Sequence, residues 1–166
     1  MFFSLNVRLS IIFLGFLNNE IIKYIMIYEQ RKVIKMCIFC KIIEKEIPSK
    51  VVYEDSDVLA ILDISQANLG HTLVMPKKHY DNLLSIADND YLKVMEVAKK
   101  IAKKIDQSLK PDGINIINNC NEAAGQTVMH FHVHVLPRFK GDEIELKFKD
   151  NSGKFNLDEV LEKVKL

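Results

Sequence analysis

Three cysteines in 166 residues are too few for the disulfide framework of a small secreted protein. The chain also lacks an excess of charge of one sign. It has 23 Lys and Arg against 22 Asp and Glu, a formal net charge of +1. A protein that binds nucleic acid by broad neutralisation of phosphates is normally more basic, so no nucleic-acid partner is expected. A small anionic ligand needs only a local site and is compatible with this balance.

No apolar run is long enough to span a membrane. The best run reaches from Leu9 to Leu17, whereas a spanning helix needs roughly 20 apolar residues. Residues 1–36 nevertheless differ from the rest, because they carry five basic and two acidic side chains. We predict that residues 1–35 are an extension outside the fold and that Met36 is the functional start. A membrane-surface or targeting helix and a real structural addition are the alternatives.

The composition is that of an ordinary globular protein of one domain, with 48% hydrophobic and 27% charged residues. Its patterns predict an α+β fold in which short strands form an antiparallel, meander-like sheet around one long helix. Strands are expected at residues 51–54, 58–62, 72–75, 114–118 and 128–136. The long helix is expected at 90–109, where apolar residues recur at i+3 and i+4 spacing, and a C-terminal helix at 156–165.

Three of the five histidines alternate with apolar residues within the last predicted strand. Side chains of a strand alternate between its faces, so His130, His132 and His134 should share one face. The other face should belong to the core and carries Met129, Phe131, Val133 and Val135. Alternate residues are roughly 6.6–6.8 Å apart along a strand, so the three imidazoles can have three different roles.

Two chemistries use such a row of histidines. In one, His130 and His132 bind a hydrolytic metal ion together with a third ligand. In the other, a neutral imidazole is a nucleophile and its neighbours bind an anionic substrate. The polar loop before the strand favours the second chemistry, because its amide, hydroxyl and backbone N–H donors can hold phosphate oxygens. These donors belong to Asn119, Gly125, Gln126 and Thr127.

A Cys-x-x-Cys pair, Cys37 and Cys40, lies far from this row in the sequence, with His71 and His79 between. Two cysteines and two histidines make a tetrahedral zinc site. A redox motif and simply packed thiols are the alternatives for the pair.

Residues 130–137 resemble the His-x-His-x-His-x-x motif of the histidine-triad (HIT) family. The flanking segments 37–43, 62–65, 70–79 and 124–127 are also similar to that family. The resemblance covers about residues 36–140 and is nearest to the bacterial Hint-like branch that keeps a zinc site. It implies a HIT domain at 36–140 with a five-stranded antiparallel sheet, followed by a tail at 141–166 that ends in a short helix.

The resemblance implies a nucleotide hydrolase or transferase that acts at the α-phosphate of purine nucleoside 5′-phosphoramidates or dinucleoside polyphosphates. His132 matches the nucleophile, His134 a phosphate-contacting residue, and His71 an auxiliary active-site histidine. Asp63 matches the carboxylate that binds ribose hydroxyls. The phosphate loop corresponds to Asn119, Gly125, Gln126 and Thr127. A structural zinc ion would be held by Cys37, Cys40, His79 and His130.

A histidine nucleophile imposes a condition on its own ring. The attacking nitrogen must be unprotonated, so the other nitrogen should donate to a fixed acceptor. The metal-dependent hydrolase and a non-catalytic nucleotide-binding protein are the alternative functions.

The resemblance further implies a cytoplasmic homodimer in which two five-stranded sheets join into one. One departure is Cys120-Asn121, which stands where family members often have Asn-Gly. Asn tolerates a positive φ better than most residues, so the loop should keep its shape. Apart from its predicted helix, the tail after Lys140 shows no assignable pattern.

Overall fold

The computed structural model describes the backbone of residues 19–166. The strands of this part are β1 (Val51–Glu54), β2 (Val58–Leu62), β3 (Thr72–Pro76), β4 (Gly113–Ile117) and β5 (Val133–Arg138). Its α-helices are α1 (Asn19–Met36), α2 (Ile38–Ile43), α3 (Asp88–Leu109) and α4 (Leu157–Val164). One turn of 3-10 helix spans Glu122–Ala124. The long helix and the C-terminal helix lie where the sequence predicts them, and Asn156 caps α4 by accepting from Asp158 N.

The strands form one antiparallel sheet in the order β1-β2-β3-β5-β4. The α+β fold with a five-stranded antiparallel sheet is therefore confirmed. Only the first three strands follow each other as a meander. The chain then passes through α3, forms β4 at the edge of the sheet, and returns as β5 between β3 and β4.

The sheet is covered on both faces, which explains why β2 and β3 are almost entirely buried. Val58 and Ala60 of β2 pack towards α3, whose buried residues recur at helical spacing. The alternate residues Leu59 and Ile61 pack on the opposite face, in a cluster with Phe39 of α2. Helix α2 thus occupies the face opposite α3.

The last strand begins later than predicted, because residues 128–132 are extended or bent without joining the sheet. Phe131 N donates to Tyr80 O at 2.6 Å, in the loop after β3, instead of to a strand. Alternation survives this change: Phe131, Val133 and Val135 lie in the core under α3. Met129 is an exception, since its side chain is exposed where the pattern predicted burial. Residue 129 lies outside β5, so the alternation of the strand does not apply to it.

The strand predicted at 128–136 ends before Pro137, whereas β5 continues through Pro137 to Arg138. Pairing of β5 with β3 ends at Thr72 and Val135, whereas its pairing with β4 continues to Gly113 and Arg138. Pro137 therefore lies where β5 has a paired strand on one side only. A residue without an N–H group is tolerated at such a position.

Helix α1 covers much of the N-terminal extension and has its main contacts with α2. Large apolar side chains along it are exposed, among them Tyr24, Met26 and Tyr28. Between residues 19 and 166, no helix combines the length and the apolar character that crossing a membrane requires. The predictions that concern residues 1–18 lie outside the described part.

A chain beginning at Met36 should fold and keep its stability, because the described side chains of α1 add little to either core cluster. We expect its melting temperature to stay within roughly 3 °C of that of the full chain, measured by calorimetry. Phe39→Ala is the matched control and should destabilise the fold by about 3–5 kcal/mol, since Phe39 is buried. Failure of the shortened chain to fold would show that residues 1–35 belong to the domain.

Candidate functional site

Four potential metal ligands from three parts of the chain meet beside α2. Cys37 immediately precedes the helix and Cys40 lies within it, while His79 follows β3 and His130 precedes β5. Cys40 Sγ lies 3.2 Å from His79 Nδ1 and 3.6 Å from His130 Nδ1, which is also 3.6 Å from Cys37 Sγ. The four ligand atoms all lie within 4.8 Å of one another. The structure thus brings together all four predicted zinc ligands.

Hydrogen bonds on the far side of each imidazole orient the pair of histidines. His130 Nε2 donates to Pro76 O at 2.9 Å, so its Nδ1 directs a lone pair towards the sulfurs. His79 Nε2 lies 3.1 Å from Asp81 Oδ1, which gives His79 the same orientation. Partners of this kind are typical of histidines that ligate zinc.

The protonation states of the cluster follow from its burial. Burial lowers the pKa of His130 to about 4, so its ring is neutral, as a metal ligand must be. Burial and the neighbouring Cys37 raise the pKa of Cys40 to about 12, so the protein alone does not stabilise a thiolate there. Cys37 and Cys40 would hold a divalent cation as thiolates, and its charge would reverse that preference. Two sulfurs and two imidazole nitrogens fit zinc.

His132 lies beside this cluster with one ring nitrogen fixed. Its Nδ1 is 2.7 Å from His130 O, and a carbonyl oxygen only accepts, so the proton is on Nδ1. Nε2 is therefore unprotonated, which meets the condition that the sequence set for a nucleophile. The ring is 5% exposed and contacts Phe39 and His134 at centroid distances of 5.1 and 5.0 Å. Burial lowers its pKa and keeps it neutral.

The row continues from His134 to His71 and Asp63. His134 Nδ1 lies 2.9 Å from His71 Nε2, and the two rings stack at 25°. His71 Nδ1 lies 3.5 Å from Asp63 Oδ2. Burial lowers the pKa of His71, and burial with the neighbouring His132 and His71 lowers that of His134 to about 4. Asp63, His71, His134 and His132 are thus consecutive neighbours.

This second group also offers three ligand atoms within 4.8 Å of one another. His71, however, faces Asp63 with Nδ1 and His134 with Nε2. Among the described residues, the hydrogen bond within this group joins His71 and His134, while His71 Nδ1 accepts from Ala67 N at 3.4 Å.

The predicted phosphate loop is ordered mainly by Gln126, which is buried. Its Oε1 accepts from Asn121 N at 2.8 Å, and its Nε2 donates to Asp81 O and Val128 O. Both N–H groups of the amide are thus used within the protein, and a direct contact of Gln126 with phosphate stays a prediction that would require rearrangement.

The other loop residues are more accessible. Asn119 Nδ2 lies 3.4 Å from Gly125 O, which brings these two residues together. Thr127 is exposed, and its hydroxyl bonds to no residue between 19 and 166. Asn121 takes a positive φ of 70°, consistent with the tolerance expected of Asn.

Sequence reasoning missed two polar residues that support the site. Asn118 Nδ2 donates to His132 O at 2.8 Å, while its buried Oδ1 has no partner in the described structure. The pattern identified Asn118 only as the end of a strand, and no local signal marks it. Asp81, two positions after His79 in the sequence, orients the His79 ring. A carboxylate so near a candidate zinc ligand could have been predicted from the sequence as its hydrogen-bond partner.

The family model that describes the HIT domain matches residues 44–141. An uncharacterised HIT-like protein of Methanocaldococcus jannaschii is 48% identical over 130 residues, which cover 78% of this chain and 99% of that protein. The structure of a zinc-bound histidine-triad family protein of Mycobacterium smegmatis is 36% identical, with a TM-score of 0.65 over 73% of this chain and 88% of that one. The structure of a HIT family hydrolase of Legionella pneumophila is 34% identical, with a TM-score of 0.57 over 68% and 96%.

This protein belongs to the HIT family. The relationship covers most of the described fold, including the histidine row and the loop before it.

We predict that the protein binds one zinc ion per chain at the Cys37–Cys40–His79–His130 cluster. Cys37→Ser should release the metal and lower the melting temperature by roughly 10 °C or more, because metal binding contributes folding free energy. Metal content by mass spectrometry and melting by calorimetry are the measurements. Cys120→Ser is the matched control and should change neither, since Cys120 lies outside the cluster. If protein purified without chelators lacks stoichiometric zinc, the prediction is wrong.

Proposed function

We propose that this protein is a nucleotide hydrolase or transferase that cleaves at the α-phosphate of nucleoside 5′-phosphoramidates or dinucleoside polyphosphates. The observation that carries the proposal is the 2.7 Å contact between His132 Nδ1 and His130 O, which leaves Nε2 of a buried, neutral imidazole free to attack. The related Legionella protein named a hydrolase supports the class of reaction.

The reaction would proceed in two displacements. In the first, the Nε2 lone pair forms a bond to the α-phosphorus while the bond to the leaving amine or phosphate breaks. The leaving group takes the bonding electrons, and the nucleotidyl group remains on His132. In the second, water attacks the same phosphorus, the N–P bond breaks, and the nucleoside monophosphate leaves with His132 restored. Covalent catalysis of this kind divides one difficult displacement into two easier steps.

The remaining residues would bind the nucleotide. His134 lies next to His132 and is proposed to contact the phosphate, with His71 fixing its ring. The Thr127 hydroxyl and the Asn119 amide are proposed to complete the phosphate site. Asp63 is proposed to bind the ribose hydroxyls of an AMP-type purine nucleotide.

The alternative of a hydrolytic metal shared by His130 and His132 has less support. His130 directs Nδ1 to the cysteine sulfurs and Nε2 to Pro76 O, so neither nitrogen is available for an ion beside His132. Zinc at the four-residue cluster would stabilise the fold when bound. A non-catalytic nucleotide-binding protein is distinguished by the absence of turnover.

His132→Ala should bind AMP and keep its zinc, yet lose turnover of adenosine phosphoramidate by roughly 10⁴-fold or more, because a covalent catalyst has been removed. His132→Asn is the matched variant, since its amide can still donate to His130 O. It should be equally inactive. His132→Gly should regain some activity with added imidazole.

Quenching the wild-type reaction without acid should trap an AMP adduct on His132, located by peptide mass spectrometry. An adduct on another residue, or wild-type turnover in His132→Ala, would contradict this mechanism. A panel of phosphoramidates, diadenosine polyphosphates and nucleotidylated sugars would then identify the leaving group.

We also propose a homodimer in which two sheets join. Strand β4 forms one edge of the sheet, so its outer backbone groups are available for a second copy. Light scattering at micromolar concentration should give twice the chain mass of 19.1 kDa. A monomeric mass would count against the dimer.

A further inference from the structure

The loop at residues 63–71, between β2 and β3, carries two proposed active-site residues at its ends. Asp63 N donates to His71 O at 3.0 Å, which closes the base of the loop. Gln66 holds it from within: its Nε2 donates to Asp63 O and His71 O, and its Oε1 accepts from Gly70 N. These internal bonds shape the loop but do not attach it to the rest of the domain.

One attachment from outside comes from the tail. Asn68 Nδ2 donates to Asp142 Oδ2 at 3.0 Å, across 74 positions of the sequence. The carbonyl of the same Asn68 accepts from His71 N at 3.0 Å. A single asparagine therefore connects the tail to the backbone of His71.

Asp142 is itself fixed to the end of strand β5. Arg138, the last residue of β5, donates to both of its carboxylate oxygens at 2.8 and 2.7 Å. Phe139 N and Ile144 N donate to the same carboxylate. Arg138 also donates to Asn115 Oδ1 of β4 at 2.8 Å. The side chain of Asp142 is only 11% exposed, so this is a well-shielded, bidentate ion pair.

We propose that Asp142 is a positioning residue of the active site, which acts through Asn68 to hold the loop that carries Asp63 and His71. The inference rests on the proposed function, because the parts that it positions are those assigned to the nucleotide. The proposal also extends the functional part of the domain past residue 140, into a segment to which the sequence analysis assigned no role. The Arg138 guanidinium supports this by holding the pKa of Asp142 well below its usual range, so the carboxylate stays charged.

Loss of this connection should act on binding more than on chemistry. His132 has its own supports, since His130 O accepts from its ring and Asn118 donates to its carbonyl. Neither support involves the 63–71 loop. A loosened loop should therefore raise the KM and the AMP Kd while leaving kcat nearly unchanged.

The test uses Asn68→Ala, Asp142→Ala and their combination in the full chain. Each single variant should speed hydrogen exchange at the His71 amide and weaken AMP binding about fivefold, with kcat within about twofold of wild type. The matched control is Asp112→Ala. Asp112 accepts from Lys140 N, two residues before Asp142, but in the described structure it forms no hydrogen bond or ion pair with the loop. It should change neither exchange nor binding.

The double variant separates positioning from simple stabilisation. If Asp142 acts through Asn68, the double variant should bind AMP no more weakly than Asn68→Ala alone. Its melting temperature should still fall further, because Arg138 and Phe139 lose their acceptor. Additive losses of AMP binding, or an unchanged Kd in Asn68→Ala, would overturn the proposal.

Two further outcomes keep the two proposals distinct. Wild-type protein that neither binds AMP nor turns over substrate would overturn the proposed function and the nucleotide-positioning role with it. Exchange at His71 would still show whether Asp142 orders the loop, and unchanged exchange in Asn68→Ala would refute that. If Asp142→Ala does not fold, Asn68→Asp replaces it, because a second carboxylate facing Asp142 should break the same contact.

Discussion

Burial of alternate residues under α3 fixes the direction of the histidine row, and both candidate sites depend on it. Phe131, Val133 and Val135 are at most 1% exposed and lie in one core cluster with α3. A shift of one residue would turn the histidines into that core and expose the apolar side chains. The core therefore selects the single register in which the imidazoles face α2, where Phe39 contacts the rings of His130 and His132.

His130 then joins the two sites through different atoms. Its side chain completes the candidate metal cluster, while its carbonyl oxygen accepts a hydrogen bond from Nδ1 of His132. On the proposed function, the metal has no part in the displacement, yet the same residue serves both sites. Anything that moves the His130 backbone should therefore disturb the ring of the nucleophile.

Most of the fold could be predicted from the sequence, because the spacing of its apolar residues matches the faces that the helices and strands bury. The helix at α3 and the first three strands follow from apolar spacing and turn residues. The assignment of the four metal donors comes from the resemblance to the HIT family. The start of β5 was not predictable in this way, because residues 128–132 look like a strand but pair with the loop at Tyr80. Asn118 and the Asn68–Asp142 contact were missed for another reason: their partners are distant in sequence, and single polar residues carry no periodic signal.

The histidine rings of this site are neutral, which determines how the site can hold an anion. Burial lowers the pKa of His71, His132 and His134, so all three rings are uncharged near neutral pH. In the described part of the chain, no lysine or arginine forms a hydrogen bond, ion pair or ring contact with any of them. On the proposed function, a phosphate there would be held by dipoles: imidazole N–H groups, the Thr127 hydroxyl and the amides of the loop. Fixed dipoles need to be correctly placed before the substrate arrives, since they cannot attract it from a distance as a charge does. The hydrogen bonds of Gln126 within the loop and the single bond from Asn68 to Asp142 would hold such dipoles in place, because binding at this site would depend on geometry in place of charge.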